Sequence, residues 1–280
     1  MLKEALMTAL VAAYKAGEAI NSVYDSADFE VELKEDKSPL TLADRSSHNV
    51  ILKELAQFNN KYNCQLLSEE GKLFPYNERK DWQCFWLIDP LDGTKEFIKR
   101  NGEFTVNLAL IHNGVLVIGV VYAPAMGCCY FACKNAGSFK LNSVEVIETR
   151  NNSWDILIKN SKQLPLLQST NKPFTVVGSR SHGSESFDEF IQALRLKYGE
   201  IELMSAGSSL KLCLVAEGAA NIYPRFGHTM EWDTAAGHCI VNEAGGTVVT
   251  IDTGKPLVYN KENLLNPWFI VKGGAPPQCH

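Results

Sequence analysis

The sequence carries 8 cysteines in 280 residues but no Cys-x-x-Cys pair. A zinc ribbon and a thioredoxin-type redox motif are therefore excluded. The cysteines stand at 64, 84, 128, 129, 133, 213, 239 and 279. They are expected to be free, mostly buried thiols of a reducing compartment. Also missing is any apolar run near the roughly 18 residues of a membrane span. The stretch from Met1 to Ile20 contains Lys3, Glu4, Lys15 and Glu18, too many charges for the apolar region of a secretory signal. A cytoplasmic chain without a transmembrane segment is expected. A basic stripe is missing as well: 27 basic residues face 32 acidic ones, for a net charge of −5. That balance argues against a nucleic-acid partner. The densest basic stretch, Lys95, Lys99 and Arg100, is interrupted by Glu96 and reads as solvated surface. There are no internal repeats and no low-complexity tract.

What the chain does have is apolar content, 45% of its residues. That suffices for a large core in one big domain or two lobes. Leu6, Leu10, Ala13, Ala16 and Ile20 recur at helical spacing and predict a helix over 2–24. A second helix is predicted from Thr41, carrying Val50, Ile51, Leu55 and Phe58. Leu66-Leu67 reads as a strand end opening into Ser68-Glu69-Glu70-Gly71. Phe85 to Ile88 reads as a buried strand stopped by Pro90. Two further strands, 105–111 and 115–122, are joined by His112-Asn113-Gly114, a strong hairpin cue. Residues 129–147 predict more short strands. Polar, irregular residues 148–172 are the expected connection. Beyond them strands and helices alternate: strand 174–178, helix 186–197, strand 200–205, helix 208–217, strand 220–223, helix 233–244 and strand 247–250. The expectation is an α+β lobe over 1–150 with an antiparallel sheet, and an α/β lobe over 151–280.

Acidic residues fall where the chain turns: Asp44, Glu69 and Glu70, Asp89 and Asp92, and Asp233. Each has an ordinary structural reading. Asp44 lies three after Thr41 and can complete a capping box. Glu69 and Glu70 can be solvated loop charges. Asp92-Gly93 can be a plain turn, and Asp233 can cap a helix starting at Thr234. Asp89-Pro90-Leu91-Asp92-Gly93-Thr94 is harder to dismiss. Pro90 removes a backbone donor, and Gly93 permits a conformation that strains other residues. Two carboxylates, the Leu91 carbonyl and the Thr94 hydroxyl then share one turn. Hard cations such as Mg²⁺ take such oxygens. Amides after Gly93 are candidates for holding a phosphate oxygen. Haloacid-dehalogenase-type phosphatases place their two aspartates two apart; here the spacing is three, with proline between, so an aspartyl-phosphate is not indicated.

These motifs, together with Glu231-Trp232-Asp233-Thr234-Ala235-Ala236 and Glu243-Ala244-Gly245-Gly246, resemble those of the inositol monophosphatase superfamily, in the family's order along nearly the whole chain. Within it the chain looks most like the CysQ-type 3'(2'),5'-bisphosphate nucleotidases. The carriers are Leu91 to Phe104, Gly207-Ser208-Ser209-Leu210-Lys211 and Tyr223-Pro224-Arg225-Phe226-Gly227. No family pattern is recognised over 148–172.

The resemblance implies a layered αβαβα fold of the sugar-phosphatase type, with a mixed sheet in the C-terminal lobe. It implies a lithium-sensitive, Mg²⁺-dependent phosphatase acting in sulfur metabolism, with two or three Mg²⁺ ions. Glu69, Asp89, Asp92, Asp233 and the Leu91 carbonyl would bind the metal. Asp44, Glu70 and Thr94 would serve the attacking water, without a phosphoenzyme. The substrate would be 3'-phosphoadenosine 5'-phosphate, giving AMP and phosphate. Gly93, Thr94, His182, Ser208, Lys211 and Arg225 would bind it, with Glu69, Leu91, Asp92 and Asp233. Read without the resemblance, Lys211 is a surface charge, Arg225 a structural salt bridge and His182 an exposed loop residue. Some relatives are peripheral on the inner face of the cell membrane, and this sequence supplies no anchor. Alternatives are an inositol monophosphate or sugar bisphosphate substrate, or a non-catalytic Mg²⁺-dependent nucleotide sensor. An intact Thr94 beside an intact acidic set argues against the sensor.

Overall fold

Along the central strands, side chains alternate between two apolar layers. Trp86, Ile88, Leu108, Leu110, Ile118 and Val120 enter one buried cluster. Phe85, Leu87, Ala109, Ile111, Val121 and Ala123 enter another. A sheet buried on both faces needs long apolar runs in its strands, and 85–88, 108–111 and 116–123 supply them. The computed structural model describes residues 1–26, 32–33, 39–142, 147, 154–166, 173–179 and 185–274.

Helix α1 (Leu2–Tyr24) is followed by the short pair β1 (Glu32–Leu33) and β2 (Pro39–Leu40), then α2 (Leu42–Tyr62). Next come β3 (Gln65–Ser68), α3 (Tyr76–Arg79), β4 (Cys84–Asp92) and α4 (Thr94–Ile98). Strands β5 (Thr105–His112), β6 (Val115–Ala123), β7 (Cys128–Cys133) and β8 (Gly137–Leu141) follow. The chain continues through α5 (Trp154–Lys159), β9 (Lys162–Gln163), β10 (Phe174–Gly178), α6 (Glu185–Tyr198) and β11 (Ile201–Ser205). It ends with α7 (Leu210–Glu217), β12 (Ile222–Arg225), α8 (Glu231–Glu243), β13 (Thr247–Thr250) and β14 (Phe269–Lys272).

Strands β3 to β9 form a seven-stranded sheet in sequence order, antiparallel except for the parallel β3–β4 pair. The second sheet runs β11-β10-β12-β14-β13; its first two pairings are parallel and its last two antiparallel, so that β14 alone runs against the other strands. Helices α1 and α2 cover one face of the large sheet. Helices α7 and α8 lie between the two sheets. Helix α6 covers the outer face of the small sheet through Ile191, Phe187 and Phe190. The result is five layers, αβαβα. The close seat of α8 on the large sheet depends on Gly119, where a Cβ would collide with the Ala236 carbonyl.

The structure departs from the sequence reading at several points. Strand β4 does not stop at Pro90. It runs to Asp92 through a register shift between Asp89 and Asp92. Pro90 sits inside that irregularity, where the ladder loses nothing by its missing N–H. Helix α8 starts at Glu231, two residues earlier than expected, and Asp233 is its third residue. Within 148–172 the structure has α5 and β9; Leu157 of α5 is buried and Trp154 meets Phe139 edge-on. Strand β14 was not anticipated.

The cysteines also need correction. Cys64 and Cys84 form a disulfide, with their Cα atoms 4.7 Å apart. The parallel register pairs Gln65 with Phe85, which brings the residues just before them side by side. Residue spacing could not show this, because the pair lies 20 residues apart and meets only through strand pairing. Cys128, Cys129, Cys133, Cys213 and Cys239 are free, as expected, and Cys279 lies outside the described residues. No helix among the described residues is long and apolar enough to cross a membrane.

Candidate active site

The motif 89–94 spans the end of β4, the bulge and the start of α4. Asp89 is buried, and its Oδ1 accepts the Leu91 N–H at 3.1 Å. Gly93 has φ +91°, and a Cβ there would lie 3.2 Å from the Glu103 carbonyl and 3.3 Å from Ser208 Cβ. Glycine therefore serves twice: it reaches the left-handed region, and it lets the loop before α7 approach the motif.

Carboxylate oxygens of Glu69, Asp89 and Asp233 lie within 4.8 Å of one another. Glu69 follows β3, whose parallel pairing with β4 sets it beside Asp89. Asp233 arrives from the first turn of α8, where its Oδ2 also accepts the Met230 N–H at 2.9 Å. Asp92 lines the same cavity, which has a volume of 530 Å³ and also includes Leu91, Gly93 and Thr94. Its Oδ2 is held by the Ser209 hydroxyl at 2.8 Å and the Asn107 amide at 3.4 Å.

Burial raises the Asp89 carboxyl well above the ordinary range, and the neighbouring Glu69, Asp92, Asp233 and Asp44 push it the same way. Asp233 is raised by burial, Asp92 and Glu69, against the opposing Met230 bond and Arg225. Such a cluster holds its charge only if a cation shares it. All the donors are hard oxygens, the set that Mg²⁺ and Ca²⁺ take and that soft metals do not prefer. The site fits a hard divalent cation.

Asp44 is buried in the first turn of α2. Its Oδ2 accepts the Thr41 N–H at 2.7 Å and the Thr41 hydroxyl at 2.6 Å. The capping reading of this residue thus holds. Its Oδ1 lies 3.4 Å from the Thr94 hydroxyl, which is 3.5 Å from the Leu91 carbonyl. Glu70 is outside the three-carboxylate group; its charge acts on His48, whose Nδ1 is 3.0 Å from the Ser68 hydroxyl.

A second cavity, of 200 Å³, adjoins the first through Asp92, Gly93, Lys95, Glu96, Thr229 and Asp233, which line both. Its far wall carries Ser208, Lys211, Tyr223 and Arg225. Lys211 is not a surface charge: it is 6% exposed, and its Nζ donates to the carbonyls of Ser208 at 2.7 Å and Ala206 at 3.3 Å. Burial brings its ammonium down to about 8, against the pull of Asp92. Arg225 makes no salt bridge among the described residues; its Nη2 donates to the His228 carbonyl at 2.9 Å, and its buried Nε has no hydrogen-bond partner. The buried Ser208 Oγ has none either. His182 lies outside the described residues.

Sequence reasoning missed Asn107 and did not single out Ser209. Both are buried polar residues, hidden within an apolar strand and a serine-rich turn. Lys95, read as solvated surface, is exposed, and it also lines both cavities.

A profile described as the inositol monophosphatase family matches residues 1–270. The curated 3'(2'),5'-bisphosphate nucleotidase CysQ of Salmonella typhimurium is 45% identical over 261 residues, covering 92% of this chain and 96% of that protein. The corresponding protein of Buchnera aphidicola is 41% identical, covering 93% and 89%. The crystal structure of CysQ from Bacteroides thetaiotaomicron superposes with a TM-score of 0.88 at 47% identity, covering 99% of both chains. An inositol monophosphatase of Thermotoga maritima, at 24% identity and a TM-score of 0.70, shares the fold. The chain belongs to the inositol monophosphatase family, whose members depend on a metal ion.

Proposed function

We propose that this member of the inositol monophosphatase family is a 3'(2'),5'-bisphosphate nucleotidase, hydrolysing the 3'-phosphate of 3'-phosphoadenosine 5'-phosphate to give AMP and phosphate. One observation carries the reading: the carboxylate cavity opens into a second cavity whose wall presents Lys211, Arg225 and Ser208 with unused donor capacity. Lys211 gives two of its three N–H bonds to loop carbonyls. The third, with Arg225 Nε and Ser208 Oγ, suits the oxygens of a second phosphate. A monophosphate substrate would leave these buried donors unpaired, which costs free energy. The names of the relatives agree with a bisphosphate.

In this reading Glu69, Asp89, Asp92, Asp233 and the Leu91 carbonyl would hold the Mg²⁺, two or three ions. When bound, Mg²⁺ would supply neutralisation of the phosphate charge, a more acidic water and stabilisation of the leaving oxygen. Thr94, held by Asp44, orients the attacking water, with Glu70 supporting the water network. Gly93 and Thr94 face the transferred phosphate. The P–O bond to the ribose breaks as water adds to phosphorus, and the ribose oxygen leaves as a hydroxyl.

The test is phosphate release with Mg²⁺ from 3'-phosphoadenosine 5'-phosphate, inositol 1-phosphate and fructose 1,6-bisphosphate. The highest kcat/KM is expected for the nucleotide. Preference for inositol 1-phosphate would overturn the reading, and tight nucleotide binding without turnover would favour a sensor.

A further inference from the structure

We propose that Ser209 is a positioning residue that transmits occupation of the second-phosphate cradle to the metal-binding carboxylates; the proposal rests on the bisphosphate reading above. Ser209 precedes α7 and is 1% exposed. Its Oγ lies 2.8 Å from Asp92 Oδ2 and 2.7 Å from the backbone carbonyl of Asp233. The Asn107 amide, on β5, donates to the same oxygen at 2.8 Å. One hydroxyl thus joins the cradle loop, the large sheet and two of the proposed ligands.

The hydroxyl has a single proton. Asn107 occupies a lone pair of the oxygen, so that proton goes either to the Asp92 carboxylate or to the Asp233 carbonyl. A bond to the carboxylate is charge-assisted and the stronger of the two. Asn107 is itself buried, and its Oδ1 has no partner. The amide is nevertheless turned with its NH₂ toward Ser209 and Asp92; the flipped amide would aim an oxygen at a carboxylate. The acidic site therefore dictates the orientation of Asn107, and Asn107 that of Ser209.

The helix that Ser209 caps has little freedom to absorb a displacement. Ahead of it, the Gly207 N–H bonds Glu103 Oε2 at 2.8 Å. At its far end, Glu217 accepts Tyr130 at 2.7 Å and Lys140 at 2.8 Å, both on the large sheet. Ser208 and Lys211, which face the second phosphate, flank Ser209 in the chain. A shift of a few tenths of an ångström in the cradle therefore reaches the Asp92 oxygen through one bond. Groups that hold a ligand's orientation commonly alter metal affinity or activity by ~10- to 100-fold when removed.

The experiment compares the parent with Ser209→Ala on two readouts, after equal thermal midpoints establish equal folding. The first is Mg²⁺ affinity without substrate, by titration calorimetry; a loss of roughly tenfold is expected. The second is the ratio of kcat for 3'-phosphoadenosine 5'-phosphate to kcat for 3'-AMP, which lacks the second phosphate. The ratio should exceed one in the parent and fall toward one in the variant. Lys211→Met should then lower kcat in the parent background and not in Ser209→Ala, the non-additivity expected of coupled residues. Unchanged Mg²⁺ affinity with an unchanged ratio overturns the proposal, as does an equal loss on both substrates at parental Mg²⁺ affinity. A parental ratio of one overturns the coupling. Parental preference for inositol 1-phosphate overturns the bisphosphate reading instead, and the Mg²⁺ titration still decides whether Ser209 sets the ligands.

Discussion

The two oxygens of Asp44 serve different partners: Oδ2 takes Thr41 at 2.6 and 2.7 Å, and Oδ1 lies 3.4 Å from the Thr94 hydroxyl. One buried carboxylate closes the start of α2 and addresses the hydroxyl proposed to orient the attacking water. Loss of a group that orients or deprotonates a nucleophile costs ~10²- to 10⁴-fold in rate. Thr94→Ala should lose kcat in that range with KM nearly unchanged, and Thr94→Ser should keep most of it. Asp44→Asn should lose kcat and also lower the thermal midpoint, because it disturbs the helix start. Steady-state kinetics beside thermal scans separate the two roles.

Asp89 should oppose stability in the absence of metal. Its carboxylate is buried among four acidic neighbours that all disfavour its charge. Asp89→Asn keeps the shape and removes the repulsion. In chelator the variant should melt a few degrees above the parent, and added Mg²⁺ should raise the parent's midpoint more than the variant's. Its phosphatase activity should be abolished. A parent more stable than the variant in chelator would show that the cluster is not strained by its own charge.

Much of this site was legible because the motif confines its parts to one turn. Asp89, Leu91, Asp92, Gly93 and Thr94 cannot lie far apart in any fold. Glu69 and Asp233 joined them only through the family resemblance, since parallel pairing of β3 with β4 and the seating of α8 are tertiary facts. Asn107 escaped because it sits in the strand Thr105–His112 among buried apolar neighbours, where one polar residue carries no periodic signal. The Cys64–Cys84 bond escaped for the same reason as Glu69: it exists only once the strand register is known. Helices α1 and α2 were predictable from their 3.6-residue patterns. Pro90 misled because its ordinary meaning, a strand end, yields at a bulge.

Lys211 should govern affinity for the second phosphate. Lys211→Met keeps the buried stem and removes the charge. A charge-assisted bond of about 2 kcal/mol corresponds to roughly thirtyfold in KM for the bisphosphate. KM for 3'-AMP should stay near the parental value. Burial leaves the free enzyme's ammonium at about 8, below an ordinary lysine. Above that pH the free enzyme loses the proton, so the parent's KM for the bisphosphate should climb from about pH 8 upward. The Met variant should lack that rise, which a pH series of KM on both substrates would detect.

His238 should make the fold sensitive to acid. It lies in α8, 3% exposed, with Nδ1 at 2.8 Å from the Tyr259 hydroxyl, and burial lowers its imidazole to about 4. An unfolded histidine titrates near 6.5. Between those values the unfolded chain binds a proton that the folded chain refuses, so this residue's contribution to stability falls as pH falls from about 6.5 to about 4. The limiting slope is ~1.4 kcal/mol per pH unit, and the whole window amounts to about 3 kcal/mol. Asp89 and Asp233, raised in the metal-free fold, work in the opposite direction and gain stability as they take up protons. The parent's acid limb is therefore a sum of opposed terms. The difference between parent and His238→Gln isolates the histidine: in chelator, the variant should lose less stability than the parent between pH 6.5 and 4. Parallel denaturant-melt profiles for the two proteins across that window would mean that His238 is protonated in the fold or paired with an acid.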